Sequence, residues 1–235
     1  MKKTFLLLLC LLSFAGYAQI NVKDSIQTIL SNDTLAPKIR YTNAHRFVRV
    51  YSSPEEAEQL GLEVIYPFVQ KTWKDKANRL GYLARIQSLV GECYRERGGD
   101  DRNEKERFYF EKAIQTAIES GNDTVCAYLY GGGGFVEIHR GSTNKAHEYL
   151  YQAVKYYNKM ENYVKSSEML YVIASTFYEI KDTDGLYRVL QQMEECLKKD
   201  VSKQSLYQYN VIKHSYYDLL LAKEKKEKGT VDACL

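Results

Sequence analysis

A chain of 235 residues, 45% of them hydrophobic, is long enough for one substantial core or for a series of small ones. Its 33 basic residues against 30 acidic ones give a formal +3, which falls to +1 once Lys2 and Lys3 are set aside. No long-range field is then left to recruit phosphate backbones, which argues against nucleic acid as a partner.

Lys2 and Lys3, the apolar run Thr4 to Phe14 and the small residues around Gly16-Tyr17-Ala18 have the three-part layout of a secretory signal, residues 1–18, with the cut expected after Ala18. The run is shorter than the roughly 20 residues that cross a bilayer. Cys10 sits inside the leucines rather than at the cut, against a lipid anchor. No later stretch reads as a membrane span, so the expected compartment is the periplasm or the cell exterior. Export leaves Cys93, Cys126, Cys196 and Cys234, widely spaced and without CxxC. That is neither a disulfide framework nor a zinc site. The expectation for the first three is buried helical thiols, with pairing in an oxidising compartment left open.

Beyond the signal, apolar residues recur at helical spacing and are broken at short intervals by Gly, Asn, Asp and Ser, whereas strand-like alternation is hard to find. Residues 19–40 read as a short helix near Asp24 to Leu30 and a linker. Tyr41 to Val50 reads as a helix. Ser53-Pro54-Glu55-Glu56 then opens another, with Ser53 as cap, Pro54 in the first turn and Glu56 reaching back, and this helix is expected to stop before Pro67. Val90, Gly91 and Tyr94 mark a first helix whose partner carries Phe110 and Ala113. Tyr130-x-x-Gly133-Gly134 runs on to Gly141, Ala146, Leu150 and Ala153. Leu170, Ile173, Ala174 and Phe177 precede Leu186, Leu190 and Met193. The small residues Gly91, Gly134 and Ala174 lie 43 and 40 residues apart. Tyr209, Ile212, Tyr216 and Leu219 begin a last helix that runs into the charged stretch Lys223 to Lys228. No apolar second helix follows it, and residues 229–235 read as a tail. Either the array is cut short or the charged run is its solvated cap.

This order of large and small residues resembles the tetratricopeptide repeat over residues 41–228, although both steps exceed the usual unit of roughly 34 residues. The resemblance implies an all-α, right-handed solenoid of antiparallel helix hairpins, four complete and one incomplete, with elongated repeats of about 40 residues. Together with the export signal, it is similar to the exported sensory region of membrane-bound histidine kinases and regulators.

Residues 131–134 are four consecutive glycines. Each costs about 1 kcal/mol in a helix relative to alanine, so something should compensate. A phosphate loop fails on context, because no Gly-Lys-Ser/Thr follows and no strand precedes. Gly133 and Gly134 fit close helix packing, while Gly131 and Gly132 are expected on the inner surface, leaving a hollow. Histidines 45, 139, 147 and 214 are scattered, and His147-Glu148 lacks the second histidine of a zinc helix. No GxSxG or paired acids mark a hydrolase. Glu194 and Glu195 read as solvated surface. Asp24-Ser25-Ile26, Asp33-Thr34-Leu35 and Asp123-Thr124-Val125 look like O-glycosylation sequons, or equally like ordinary cap residues.

Tyrosine is abundant, at 21 residues. The resemblance implies that the inner surface carries Tyr128, Phe135 and His139 from one unit, Tyr171 and Tyr178 from the next, and Tyr207, His214 and Tyr217 from the last. Such rings suit recognition, and the competing role is packing against the second helices. The function expected is a non-catalytic scaffold that binds a peptide or protein partner in its groove and uses no metal or cofactor. The alternatives are the truncated input region of a two-component-type sensor and an unrecognised enzyme that uses the groove.

Overall fold

The computed structural model describes residues 21–232, with side chains described through residue 225. The segment expected to act as an export signal, Cys10 and Cys234 all lie outside the described residues. Every regular element described is helical: α1 (Val22–Ser31), α2 (Pro37–Tyr51), α3 (Pro54–Leu60), a π-helical turn (Gly61–Ile65), α4 (Tyr66–Thr72), α5 (Lys76–Arg97), α6 (Arg102–Ser120), α7 (Asp123–His139), α8 (Thr143–Lys159), α9 (Tyr163–Glu179), α10 (Thr183–Lys199) and α11 (Lys203–Asp232). The architecture is an all-α array of helix hairpins. The chain divides into two compact units, with the boundary inside α6 between Ala113 and Ile114.

In the first unit the expected capping box is present. Ser53 Oγ accepts from the Glu56 amide at 3.2 Å, and a Glu56 carboxylate oxygen accepts from the Ser53 amide at 2.9 Å. The helix does not stop before Pro67. It passes through the π-helical turn, where the Tyr66 amide donates to the Gly61 carbonyl. A proline inside a helix lacks a donor and crowds the carbonyl four residues back, and the wide turn just ahead of Pro67 relieves that crowding. Helix α1 packs on α2 and buries Ile26 and Leu30 in the same cluster as Tyr41, Ala44, Val48, Ile65 and Ile86. Trp73, directly after α4, meets Tyr82 at 4.2 Å between ring centroids, and Tyr82 meets Tyr41 at 4.5 Å edge-on.

The second unit is regular. Helices α7, α8, α9 and α10 each have 17 residues. The turns between them, and the one before α7, have a residue at positive φ in the middle: Gly121 (65°), Gly141 (75°), Glu161 (56°) and Lys181 (60°). The residue after each of the last three closes the preceding helix, the amides of Ser142, Asn162 and Asp182 donating to Glu137, Tyr157 and Phe177 carbonyls, each at 2.9 Å. This left-handed cap satisfies carbonyls that would otherwise be orphaned. The next helix is opened by the same short residue: Asn122, Asn162 and Asp182 accept from the amides of Val125, Lys165 and Gly185. Ser202 does the same for α11, accepting from the Ser205 amide at 3.0 Å.

Within this unit α7 packs on α8, α8 on α9, α9 on α10, and α11 on both α9 and α10. Leu150, Leu170, Ile173, Leu186, Val189 and Met193 form one continuous buried cluster. Fully burying one such side chain is worth about 1.5–3 kcal/mol. Gly91 and Gly134 hold equivalent places, each on a first helix against a large side chain of the second, Phe110 and Leu150. Cys93, Cys126 and Cys196 are buried free thiols. The last helix does not end at Lys228 but continues through Gly229 to Asp232.

Two outcomes follow. A left-handed backbone costs an L-residue roughly 1–2 kcal/mol, so Lys181→Gly is expected to raise the free energy of unfolding by about 1 kcal/mol. Gly141→Ala should lower it by a similar amount, both read from denaturant midpoints at unchanged slope. In the first unit, His45 lies 3.4 Å from the Arg85 carbonyl, and burial pulls its pKa down to about 4. The unfolded chain therefore binds a proton between about pH 6.5 and 4 that the folded chain refuses. Stability should fall with acidification across that window, by on the order of 1–3 kcal/mol given the partial exposure of the ring. His45→Gln should lose this component, measured as the difference between the two stability-versus-pH curves.

Candidate functional site

Three of the four glycines of α7, Gly131, Gly133 and Gly134, are buried against neighbouring helices. A methyl group built on Gly134 would stand 2.5 Å from Leu150 Cγ and 3.4 Å from the Ala146 carbonyl. One on Gly133 would stand 2.9 Å from the Tyr149 ring. These two glycines let α8 close onto α7. Gly131 and Gly132 help to line an open depression of about 430 Å³, although Gly131 is itself buried, a Cβ there standing 4.0 Å from Ala153 Cβ of α8.

That depression is lined by Tyr128, Gly131, Gly132 and Phe135 from α7, Tyr157 from α8, Lys165, Glu168, Met169, Tyr171 and Val172 from α9, and Gln204 and Gln208 from α11. Three successive first helices thus share one surface. Tyr128 and Phe135, seven residues apart on the same face of α7, are 48% and 41% exposed. Between them the wall is bare backbone, with the Met169 sulfur 3.2 Å from where a Gly131 Cβ would be. The charged part is a single small network. Lys165 Nζ lies 2.6 Å from one Glu168 oxygen, and Gln204 Nε2 donates to the other at 3.2 Å.

Five of the residues expected on the inner surface come together here: Tyr128, Gly131, Gly132, Phe135 and Tyr171. The other five do not line the depression. His139 is exposed at the end of α7. Tyr178 is exposed near the end of α9. Tyr207 and Tyr217 are exposed along α11, and His214 Nδ1 sits 3.0 Å from Asp218 on the same helix. Tyr171, with Tyr130, Tyr151, Tyr157, Tyr163, Tyr209 and Tyr216, is partly buried against the core cluster, so many tyrosines are packing groups first. Burial pushes the Cys126 thiol up and the His147 imidazole down, so both are held toward their neutral forms.

Lys165, Glu168, Met169, Val172, Gln204 and Gln208 were not anticipated, yet a signal for several of them is present. Helices α7, α9 and α11 start at residues 123, 163 and 203, a strict 40-residue step. Adding that step to Tyr128 reaches Glu168 and then Gln208. Adding it to Gly131 and Gly132 reaches Tyr171 and Val172, so the hollow in α7 occupies the positions at which α9 carries an aromatic and a branched side chain.

No protein-family model matches the chain, and no curated protein sequence matches it. Among solved structures it is similar to the crystal structure of BtubC (BKLC) from P. vanneervenii, with a TM-score of 0.59 over 92% of this chain and 90% of that one. At 14% identity the likeness is one of fold alone. Among the described residues, no helix is long and apolar enough to cross a membrane.

The packing pair of glycines gives a direct test. Leu150 is fully buried and hemmed in, so Gly134→Ala should destabilise by about 1–3 kcal/mol even though alanine is the better helix former. Thermal melts of the two proteins read this.

Proposed function

We propose that the chain is an exported, tetratricopeptide-type scaffold that binds a peptide or protein partner in the depression between α7, α9 and α11. The observation that carries the reading is the open depression beside Gly132, set between exposed Tyr128 and Phe135 with Met169 in its wall. A hollow flanked by aromatic rings offers an incoming side chain a large apolar contact at little cost in rotamer entropy. The composition of the wall supports binding over chemistry, because its ionisable pair, Lys165 and Glu168, is spent on itself. The charged start and apolar run of the first 18 residues support export, and a periplasmic location is the compartment we infer.

The test separates affinity from stability. Tyr128 is half exposed, so Tyr128→Ala should melt within a few degrees of the wild type, whereas removing a hot-spot ring from an interface typically costs 2 kcal/mol or more, upwards of about 30-fold in binding. The mature protein immobilised against an envelope fraction should retain a partner that Tyr128→Ala loses. Equal retention by Tyr128→Ala and a Phe135→Ala variant would place binding elsewhere. Tyr171→Ala is the poorer probe, since Tyr171 also packs on the core.

A further inference from the structure

We propose that two copies of this chain associate through the open face of α11, the two helices lying antiparallel about a two-fold axis beside His214. This contact does not depend on what the depression binds.

The 40-residue step shows which face is meant. It carries Gly134 to Ala174 and then to His214, and Phe177 to Tyr217. In the complete hairpins these positions meet the second helix: a methyl group on Gly134 would strike Leu150 of α8, and the Phe177 ring stands against Gly185 of α10. On α11 the same face is open. The His214 side chain is 80% exposed, and Tyr207, Tyr217 and Leu221 are 68%, 52% and 55% exposed. From Tyr207 these four are spaced by seven, three and four residues, which is one stripe of a helix. The helix also passes straight through Leu221, the level at which Gly141 and Lys181 turn the chain back. It runs for 30 residues against the 17 of α10, so its last part extends past its neighbours. A helical extension of about a dozen residues is marginal in water unless something packs on it.

A second helix of the usual kind does not fit this face. Seated as closely as α8 sits on α7, it would meet the His214 imidazole where the hairpins have Gly134 and Ala174. A second α11 fits for two reasons. The stripe is its own complement, because Tyr207 and Leu221 stand seven residues to either side of His214. Turning one copy end for end sets the tyrosine of each against the leucine of the other, the isologous contact of a two-fold dimer. Leu206 then comes level with Ala222, and Asn210 with Asp218. The second reason is charge. Antiparallel pairing places Lys203 of one copy beside Glu224 as well as Lys225 of the other, and holds the two Asp218 carboxylates four residues to either side of the axis. Parallel helices would set Lys203, Asp218 and Lys225 each against its own like charge. The antiparallel register also lays residues 220–225 of each copy along 203–208 of the other, which packs the start of each extension.

The contact is short, at the low end of specific interfaces, so sedimentation velocity of the purified protein should show a dimer with a dissociation constant on the order of 10 μM. Tyr207→Lys and Leu221→Lys should each weaken it at least about tenfold without moving the melting temperature, since both side chains are exposed in the single chain. Register is read by cysteines placed in a Cys10→Ser, Cys234→Ser background, where the remaining thiols are buried. His214→Cys should form a disulfide between copies under mild oxidation. Tyr207→Cys and Leu221→Cys should each fail to cross-link alone and should cross-link when mixed. These cysteine variants keep the test open should a lysine variant fold poorly. A protein still monomeric at about 200 μM would overturn the proposal and leave the face to an unlike partner or to solvent. Tyr207→Cys that cross-links with itself would make the helices parallel and overturn it as well, as would a dimer that neither lysine variant weakens.

Discussion

The second unit depends on a turn that repeats every 20 residues. A left-handed residue stops one helix, and in most cases the side chain of the very next residue caps the helix that follows. The pair fixes helix length at 17 residues, about 25 Å, so each hairpin returns the chain to the level at which it began. Equal helices let Leu150, Leu170, Leu186 and their neighbours meet in one cluster instead of several. They also bring residues 40 apart onto the same level of successive first helices, which is why Tyr128, Glu168 and Gln208 line one depression. At Glu161 and Lys181 the turn is kept without glycine, so tertiary packing there outweighs the local cost of a left-handed side chain.

The glycines of α7 serve two opposing demands through one helix. Gly133 and Gly134 are bare so that α8 can approach, and that contact is met by protein atoms on both sides. Gly131 is also buried, with Met169 Sδ 3.2 Å and Ala153 Cβ 4.0 Å from where its own Cβ would stand, and Gly132 is half-buried beside the depression. A glycine inside a helix where it lines an open depression, as at Gly132, departs from local propensity within an otherwise consistent fold.

The local signals were legible where one residue has one conformational use. The Ser53–Glu56 capping box was readable because it depends on two side chains a single turn apart. Close packing at Gly134 followed from its place in the large–small order. The strict 20-residue turn was missed because its two non-glycine members carry no sequence mark, although the caps Asn122, Asn162 and Asp182 record it. The passage through Pro67 was hidden because the π-helical turn that permits it is set by tertiary packing rather than by a propensity. The inner surface was half legible. The repeat phase places a ring on a face but does not say whether a neighbouring helix covers it, which is why Tyr128 stands open while Tyr171 leans on the core.

The spacing of the turns also bears on how such a chain can change length. Because α7–α8 and α9–α10 are each a 40-residue cassette opened by a capping asparagine, Asn122 and Asn162, copying or losing one cassette leaves every remaining cap beside its own helix. A change of any other length would set a cap against the middle of a helix and move its apolar stripe off the neighbour. The reading frame of the fold is therefore coarser than that of the gene, and each inserted cassette would lengthen the wall by one more first helix. In that light Gly131 and Gly132 mark a difference between the two cassettes, standing where the second carries Tyr171 and Val172.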